Sequence, residues 1–271
     1  MSPTNPDATM AVFLDLENIA LGARDARFPT FDIRKVLERL LLKGHIVVKK
    51  AYCDFDRYKE FKRGLHEAAF ELIEIPHVRQ SGKNSADIRM VVDALDLCYT
   101  KSHVDTFVII SGDSDFSPLV SKLRENNKNV IGVGVKNSTS DLLIVNCDEF
   151  IYYDDLVRED ESKRRAAKKR KDARPAGESK EASASEDKKQ EAMELVLETI
   201  EALYAERGEG EKLWGSMVKQ ALKRRRPNFS ESYYGYRSFS DLLEEAGKRK
   251  VLELERDEKS GGYILRLARK E

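Results

Sequence analysis

Cysteine and histidine are scarce in this chain, and neither is spaced for chemistry. Cys53, Cys98 and Cys147 lie far apart with no C-x-x-C pair. That argues against a disulfide framework or a thiolate zinc site. An odd number in apolar contexts predicts reduced, buried thiols in a cytoplasmic protein. His45, His66, His77 and His103 show no paired spacing, which argues against a histidine zinc site. No apolar run approaches the ~20 residues of a membrane span. The polar stretch Met1–Thr9 lacks the apolar core of a signal peptide. No membrane partner is expected. There is no Gly-x-x-x-x-Gly-Lys-Ser/Thr loop, which excludes a P-loop nucleoside triphosphatase. Gly132-Val133-Gly134 lacks the third glycine of a dinucleotide fingerprint. A dehalogenase-type phosphatase needs Asp two residues after a first-strand Asp, and Glu17 occupies that place after Asp15.

Net charge is also absent, with 48 basic and 48 acidic residues. The zero hides an asymmetry. Residues 1–157 carry 20 Lys and Arg against 24 Asp and Glu, and the remainder carries 28 against 24. An acidic front half suits a metal site, and a basic back half suits a polyanion. The 35% charged content exceeds the usual ~25% and predicts a solvated linker.

Strand and helix patterns alternate through the front half. Strands are predicted at Ala11–Leu14, His45–Tyr52, Glu71–Ile75, Thr106–Ile110, Asn129–Val135 and Phe150–Tyr153. Helices are predicted at Asp32–Leu42, Arg57–Phe70, Ser85–Tyr99, Ser117–Glu125 and Thr139–Val145. Alternation of this kind implies an α/β fold with a parallel sheet covered on both faces. Residues 158–190 contain no Val, Leu, Ile or Met but hold the basic run Lys163–Lys171. They cannot bury a core and read as a charged linker or an exposed helix. Residues 191–271 read as a second domain. Its helices are predicted at Met193–Arg207, Leu213–Arg226 and Phe239–Ala246, the last closed by Gly247. A hairpin, Val251–Glu255 with Gly262–Leu267, completes a small winged-helix-like α+β module.

Two buried strands end in acids. Phe107–Ile110 runs into Ser111-Gly112-Asp113-Ser114-Asp115, and Val12–Leu14 into Asp15-Leu16-Glu17-Asn18. Ligands of open parallel sheets bind beyond the strands' carboxyl ends, where strand order reverses. Asp87 joins from the first turn of the Ser85 helix, with Ser85 as N-cap. A lone Asp after a strand is ordinarily a turn former or helix cap. Four carboxylates from three chain segments at one rim repel each other unless a cation holds them. Hard oxygen ligands suit Mg²⁺ or Mn²⁺. Such an ion activates water and offsets charge on a transferring phosphate. Glu17 is adjacent in sequence but is not counted among the ligands.

Phe13–Asn18, Lys83–Asp87 and Ile110–Phe116 together resemble the NYN family of PIN-like, LabA-like metal-dependent ribonucleases, over about residues 10–155. The resemblance implies a PIN-like three-layer parallel sheet. It implies that Asp15, Asp87 and Asp113 bind metal, with Asp115 supporting, and that Asn18 orients a water or a phosphate. Some members of the family bind RNA without cutting it, so a non-catalytic RNA-binding adaptor is the alternative. Lys83 and Lys136 lie near the same rim and are candidate phosphate contacts. Gly215–Lys223, Pro227–Phe229 and Tyr236–Glu244 resemble the OST-HTH (LOTUS) module, which implies binding of RNA or docking of a protein partner. Lys219, Lys223, Arg224, Arg225 and Arg226 concentrate charge at one helix end beside Tyr233, Tyr234 and Tyr236. Such groups can meet phosphates and stack on unpaired bases of single-stranded or structured RNA. The same cations also match a helix C-terminal dipole with no ligand at all. A homodimer would bring two acidic rims together. The domain plan is 1–157 nuclease domain, 158–190 linker and 191–271 OST-HTH domain.

Overall fold

The computed structural model describes residues 8–75, 85–158, 180–208, 211–226, 229–257 and 262–267, without the side chains of 180–185 and 187. The chain forms two compact units, one of Met1–Leu40 and Gly44–Asp172, the other of Leu41–Lys43 and Ala173–Glu271. The first holds a six-stranded sheet in the order β3-β2-β1-β4-β5-β6. Its strands are β1 (Ala8–Asp15), β2 (Gly44–Cys53), β3 (Glu71–Glu74), β4 (Thr106–Ile110), β5 (Asn129–Gly134) and β6 (Glu149–Tyr152). All pairings are parallel.

Helices cover both faces, which explains the near-continuous apolar runs of β1 and β4. On one face Met10, Val12 and Leu14 of β1 meet α1 (Leu16–Asp25), α2 (Ile33–Lys43) and α3 (Lys59–Glu67), through Ile19, Val36 and Leu65. On the other, Ala11 and Phe13 meet α4 (Ser85–Thr100) and α5 (Ser117–Glu125), through Met90, Ala94, Leu119 and Leu123. A short α6 (Asp141–Asn146) adds Leu143 to that second layer. Period-two alternation within one strand thus feeds two separate cores.

The strand order reverses between β1 and β4. The chain leaves β1 for β2 on one side, and returns through α4 to place β4 on the other. The carboxyl ends of these neighbours define the crevice where ligands of such sheets bind.

The helix α1 is absent from the sequence reading, which treated Asp15–Asn18 only as an acidic turn. Its signal was present, since Leu16, Ile19 and Ala23 recur at helical spacing and are buried. Asp15 is its N-cap, accepting a hydrogen bond from the Asn18 backbone N–H. α3 is shorter than predicted and stops before Ala69, which adopts φ 56°.

The second unit contains α7 (Lys180–Arg207), α8 (Gly215–Arg225) and α9 (Phe239–Lys248), with a sheet in the order β7-β9-β8. α7 starts within the stretch read as linker, while 159–179 lie outside the described residues. Leu213–Trp214, predicted as helix, form β7 because they pair with Leu265 and Ile264 of β9 (Tyr263–Leu267). β8 (Leu252–Arg256) completes the sheet. Gly247 does not end α9, which runs one residue further. Its lack of a side chain serves packing, since a Cβ there would stand 2.9 Å from Leu254 Cδ1. Val196, Ile200, Val218, Leu222, Leu242 and Leu265 fill the unit's core.

Candidate active site

The β1–β4 crevice is built by backbone geometry before any acid acts. Ser111 follows β4 directly and is fully buried. Its hydroxyl donates to Asp15 Oδ2 at 2.8 Å and its oxygen accepts the Asp113 N–H at 3.2 Å. Asn18, on the first turn of α1, accepts the Gly112 N–H on Oδ1 at 2.8 Å. The two strand tips are therefore laced together by side chains from each. The turn is braced from a third side, where the Ser140 N–H donates to the Gly112 carbonyl at 2.9 Å. Gly112 has no room for a side chain, because a Cβ would lie 2.4 Å from the Ser138 carbonyl oxygen.

Three of the four acids stand at helix starts. Asp15 caps α1, Asp113 caps the 3₁₀ turn Ser114–Phe116 by accepting the Asp115 N–H at 3.0 Å, and Asp87 lies in the first turn of α4. The capping role and the clustering coexist, since helix N-termini favour negative charge. Asp15 is 7% exposed. Burial pushes its carboxyl up to about 7, against the Ser111 hydrogen bond, and the charges of Asp87 and Asp113 add to the rise. Asp87 is half-buried, and burial with the charges of Asp113, Asp115 and Glu17 raises it to about 6. No cation appears among the leading influences on these two acids.

Sequence reasoning missed two participants. Ser111 supplies the tie between Asp15 and Asp113, and the only signal was its place between strand and Gly112. Glu17 contributes to the field on Asp87 and stands 3.9 Å from Arg57 Nη1. The role foreseen for Asn18, orienting a water or phosphate, is joined by a structural one, because its carbonyl oxygen holds Gly112.

The donor set is all oxygen, which suits a hard divalent ion. The raised Asp15 and Asp87 carboxyls are those of a site short of positive charge, so a cation fits its electrostatics. Among the described residues, no group of three carboxylate, histidine or thiol side chains is already gathered to hold an ion. An ion would have to draw the acids together.

The candidate nucleic-acid contacts divide. Lys83 lies outside the described residues. Lys136 is exposed just beyond β5, its backbone N–H bound to Asp154 and its ammonium 5.9 Å from the Tyr152 ring centroid. At the end of α8, Lys223 and the capping residue Arg226 are exposed and Arg224 is half-buried. Lys219 pairs with Glu231 at 2.9 Å. Arg225 differs from the surface role expected of it. Its side chain is 8% exposed and pairs with Glu198 at 3.0 Å. Tyr236 is likewise 7% exposed in the core, which removes its ring from the surface. Tyr233 is 62% exposed, with the Lys188 ammonium 4.8 Å from its ring centroid. No helix among the described residues is long and apolar enough to cross a membrane. The three cysteines are free, and two of them are buried.

Residues 9–154 match the NYN domain family, and residues 185–264 match the OST-HTH/LOTUS domain. The chain is 26% identical over 150 residues to a Xenopus tropicalis protein named meiosis regulator and mRNA stability factor 1. That match covers 55% of this chain and 9% of the relative. An uncharacterized protein of Methanocaldococcus jannaschii is 30% identical over 112 residues, covering 41% of this chain and 43% of that one. The chain thus spans under half the length of these relatives. A crystal structure of a Vibrio parahaemolyticus protein of unknown function is 28% identical with a TM-score of 0.50, covering 56% of this chain and 96% of that one.

Proposed function

The chain belongs to the NYN domain family, a nuclease-type fold, and from that premise we propose that it is a Mg²⁺- or Mn²⁺-dependent endoribonuclease with a C-terminal RNA-binding module. The observation that carries this reading is the unbalanced charge at the β1–β4 crevice, where burial and neighbouring acids raise Asp15 to about 7 and Asp87 to about 6. Acids kept in that condition make chemical sense where a cation completes them.

Asp15, Asp87 and Asp113 would hold the ion, and Asp115 would hold or orient a water. A bound divalent ion supplies an acidified water and charge compensation at phosphorus. The remaining work belongs to the chain. Ser111 fixes Asp15 and the Asp113 backbone in one hydrogen-bonded unit. Asn18 and Ser140 fix Gly112, so the turn cannot drift. Rigid placement of this kind is what an in-line attack on a phosphodiester requires. The products would carry 5′-phosphate and 3′-hydroxyl ends. The OST-HTH/LOTUS match supports RNA as the partner of the second unit. Incubation of purified protein with labelled RNA and Mn²⁺ tests the reading. Cleavage by wild type and its loss in Asp113→Asn are expected; equal degradation by both would end it.

One observation favours a second reading. Because the acids are not gathered to hold an ion, the NYN unit would instead serve as a non-catalytic RNA-binding adaptor platform. Such an adaptor shows no tight divalent binding, and Asp15→Asn leaves its RNA affinity unchanged. Cleavage that depends on Asp15 removes this alternative.

A further inference from the structure

An open groove of about 690 Å³ lies between α4 and the start of α5. Asp87 and Asp115 line it, so it is continuous with the acidic rim. The rest of its wall is largely apolar. Ile88 and Val92, one helical turn apart on α4, join Leu142 of α6 there. These three side chains are 63%, 55% and 55% exposed. Helix α4 already buries one apolar face, through Met90, Ala94 and Cys98, so folding leaves Ile88 and Val92 without a use.

Two further features narrow what the groove can take. Among the described residues that line it, none is Lys, Arg or His. Ser117 also lines it and is 6% exposed; its Oγ is closed to solvent and has no hydrogen-bond partner among the described residues. Buried hydroxyls are ordinarily paired, and an unpaired one is costly to keep. Rotation about χ1 is a small change that moves such a hydroxyl between partners. A neutral ligand with a flat apolar face and a hydrogen-bonding edge matches aliphatic walls and one unpartnered hydroxyl. A nucleobase has that form.

We infer that this groove holds an unpaired base of the RNA strand whose phosphate lies at the Asp87–Asp115 end, with Ser117 facing the base edge. The direction of the strand rests on the nuclease reading; occupancy of the groove rests only on RNA binding by this unit. Contact of the base face with Ile88 and Val92 is by burial and dispersion, so the subsite tolerates any base. Ser117 supplies what selectivity there is.

Photo-crosslinking tests this on the full chain carrying Asp113→Asn, with a short single-stranded RNA containing thiouridine. Mass spectrometry of the digested adduct is expected to find cross-links in peptides from α4 or from the start of α5. Ile88→Ser combined with Val92→Ser should lower that adduct about tenfold, the loss expected for one base contact. Cross-links in the second unit should persist, and the melting temperature should hold because both side chains are exposed. Cross-links confined to the second unit overturn the inference, as does an α4–α5 adduct undiminished in the double variant. A wild-type chain that cleaves RNA without such an adduct loses the base subsite and keeps the nuclease reading. An adduct present in a chain that never cleaves supports the subsite and removes the nuclease reading.

Discussion

Ser111 donates its hydroxyl hydrogen to Asp15 Oδ2 at 2.8 Å across the junction of the two central strands, from a position 96 residues away in sequence. The same oxygen accepts the Asp113 N–H. One buried hydroxyl therefore sets the spacing between acids from two different motifs.

Ser111→Ala should cost about 1–3 kcal/mol, because it leaves buried polar partners unpaired. Urea denaturation checks this. The bond also lowers the Asp15 carboxyl, so its loss should raise that acid further and weaken Mn²⁺ binding at neutral pH, read by calorimetry. Full stability with unchanged metal affinity would show that the tie is incidental.

Asp15 gives stability a definite pH dependence in metal-free protein. Its folded value of about 7 lies above the reference 3.8, so the native state holds the proton more tightly than the unfolded chain. The associated stability is fully present below about pH 4 and is lost as pH rises through about 7. The shift corresponds to roughly 4 kcal/mol at most. In chelator, Asp15→Asn should melt above wild type at pH 8, with the gap narrowing toward pH 4. Added Mn²⁺ should raise the wild-type midpoint selectively. A pH-independent gap would contradict the buried, raised carboxyl.

Gly112→Ala should displace the acid turn, since the new Cβ would meet the Ser138 carbonyl oxygen at 2.4 Å and Thr139 Cα at 3.0 Å. Both are backbone atoms and cannot swing aside. The expected cost is about 1–3 kcal/mol, with cleavage lost more severely than RNA binding. Thermal melts and a binding titration on the same preparation separate the two effects.

The basic helix end should not act as one patch. Lys223→Ala and Arg226→Ala should each flatten the salt dependence of RNA affinity by about 0.7 in log–log slope. Arg225→Ala should leave that slope intact and cost about 1 kcal/mol of stability, because its guanidinium is held by Glu198. Removing residues 158–271 should lower both affinity and slope. Identical slopes for the three single variants would mean that Arg225 leaves its ion pair to meet RNA.

Much of the first unit was legible along the chain. Thr106–Ile110 and Ser117–Glu125 appear at the predicted bounds, because their apolar periods match the layers they fill. The parallel order followed from alternation, and the acids announced the rim. What local pattern did not carry was the second duty of particular residues. Asp15 looked like the end of a strand and is also the start of α1. Gly247 looked like a helix stop and is a packing contact. Arg225 and Tyr236 read as surface groups in a basic, aromatic stretch, yet Glu198 holds the first and the small core buries the second.

By itself, the sequence determined which strands form in the first unit, that helices cover both faces of its sheet, and which acids stand at strand tips and helix starts. These follow from periodicity and capping, which act over a few residues. Only the tertiary structure decided that β1 and β4 are neighbours, that Ser111 ties Asp15 to Asp113, and that Asp15 is buried deeply enough to hold a proton near neutrality. Those outcomes depend on contacts between segments about a hundred residues apart and on exclusion of water, and no local pattern encodes either.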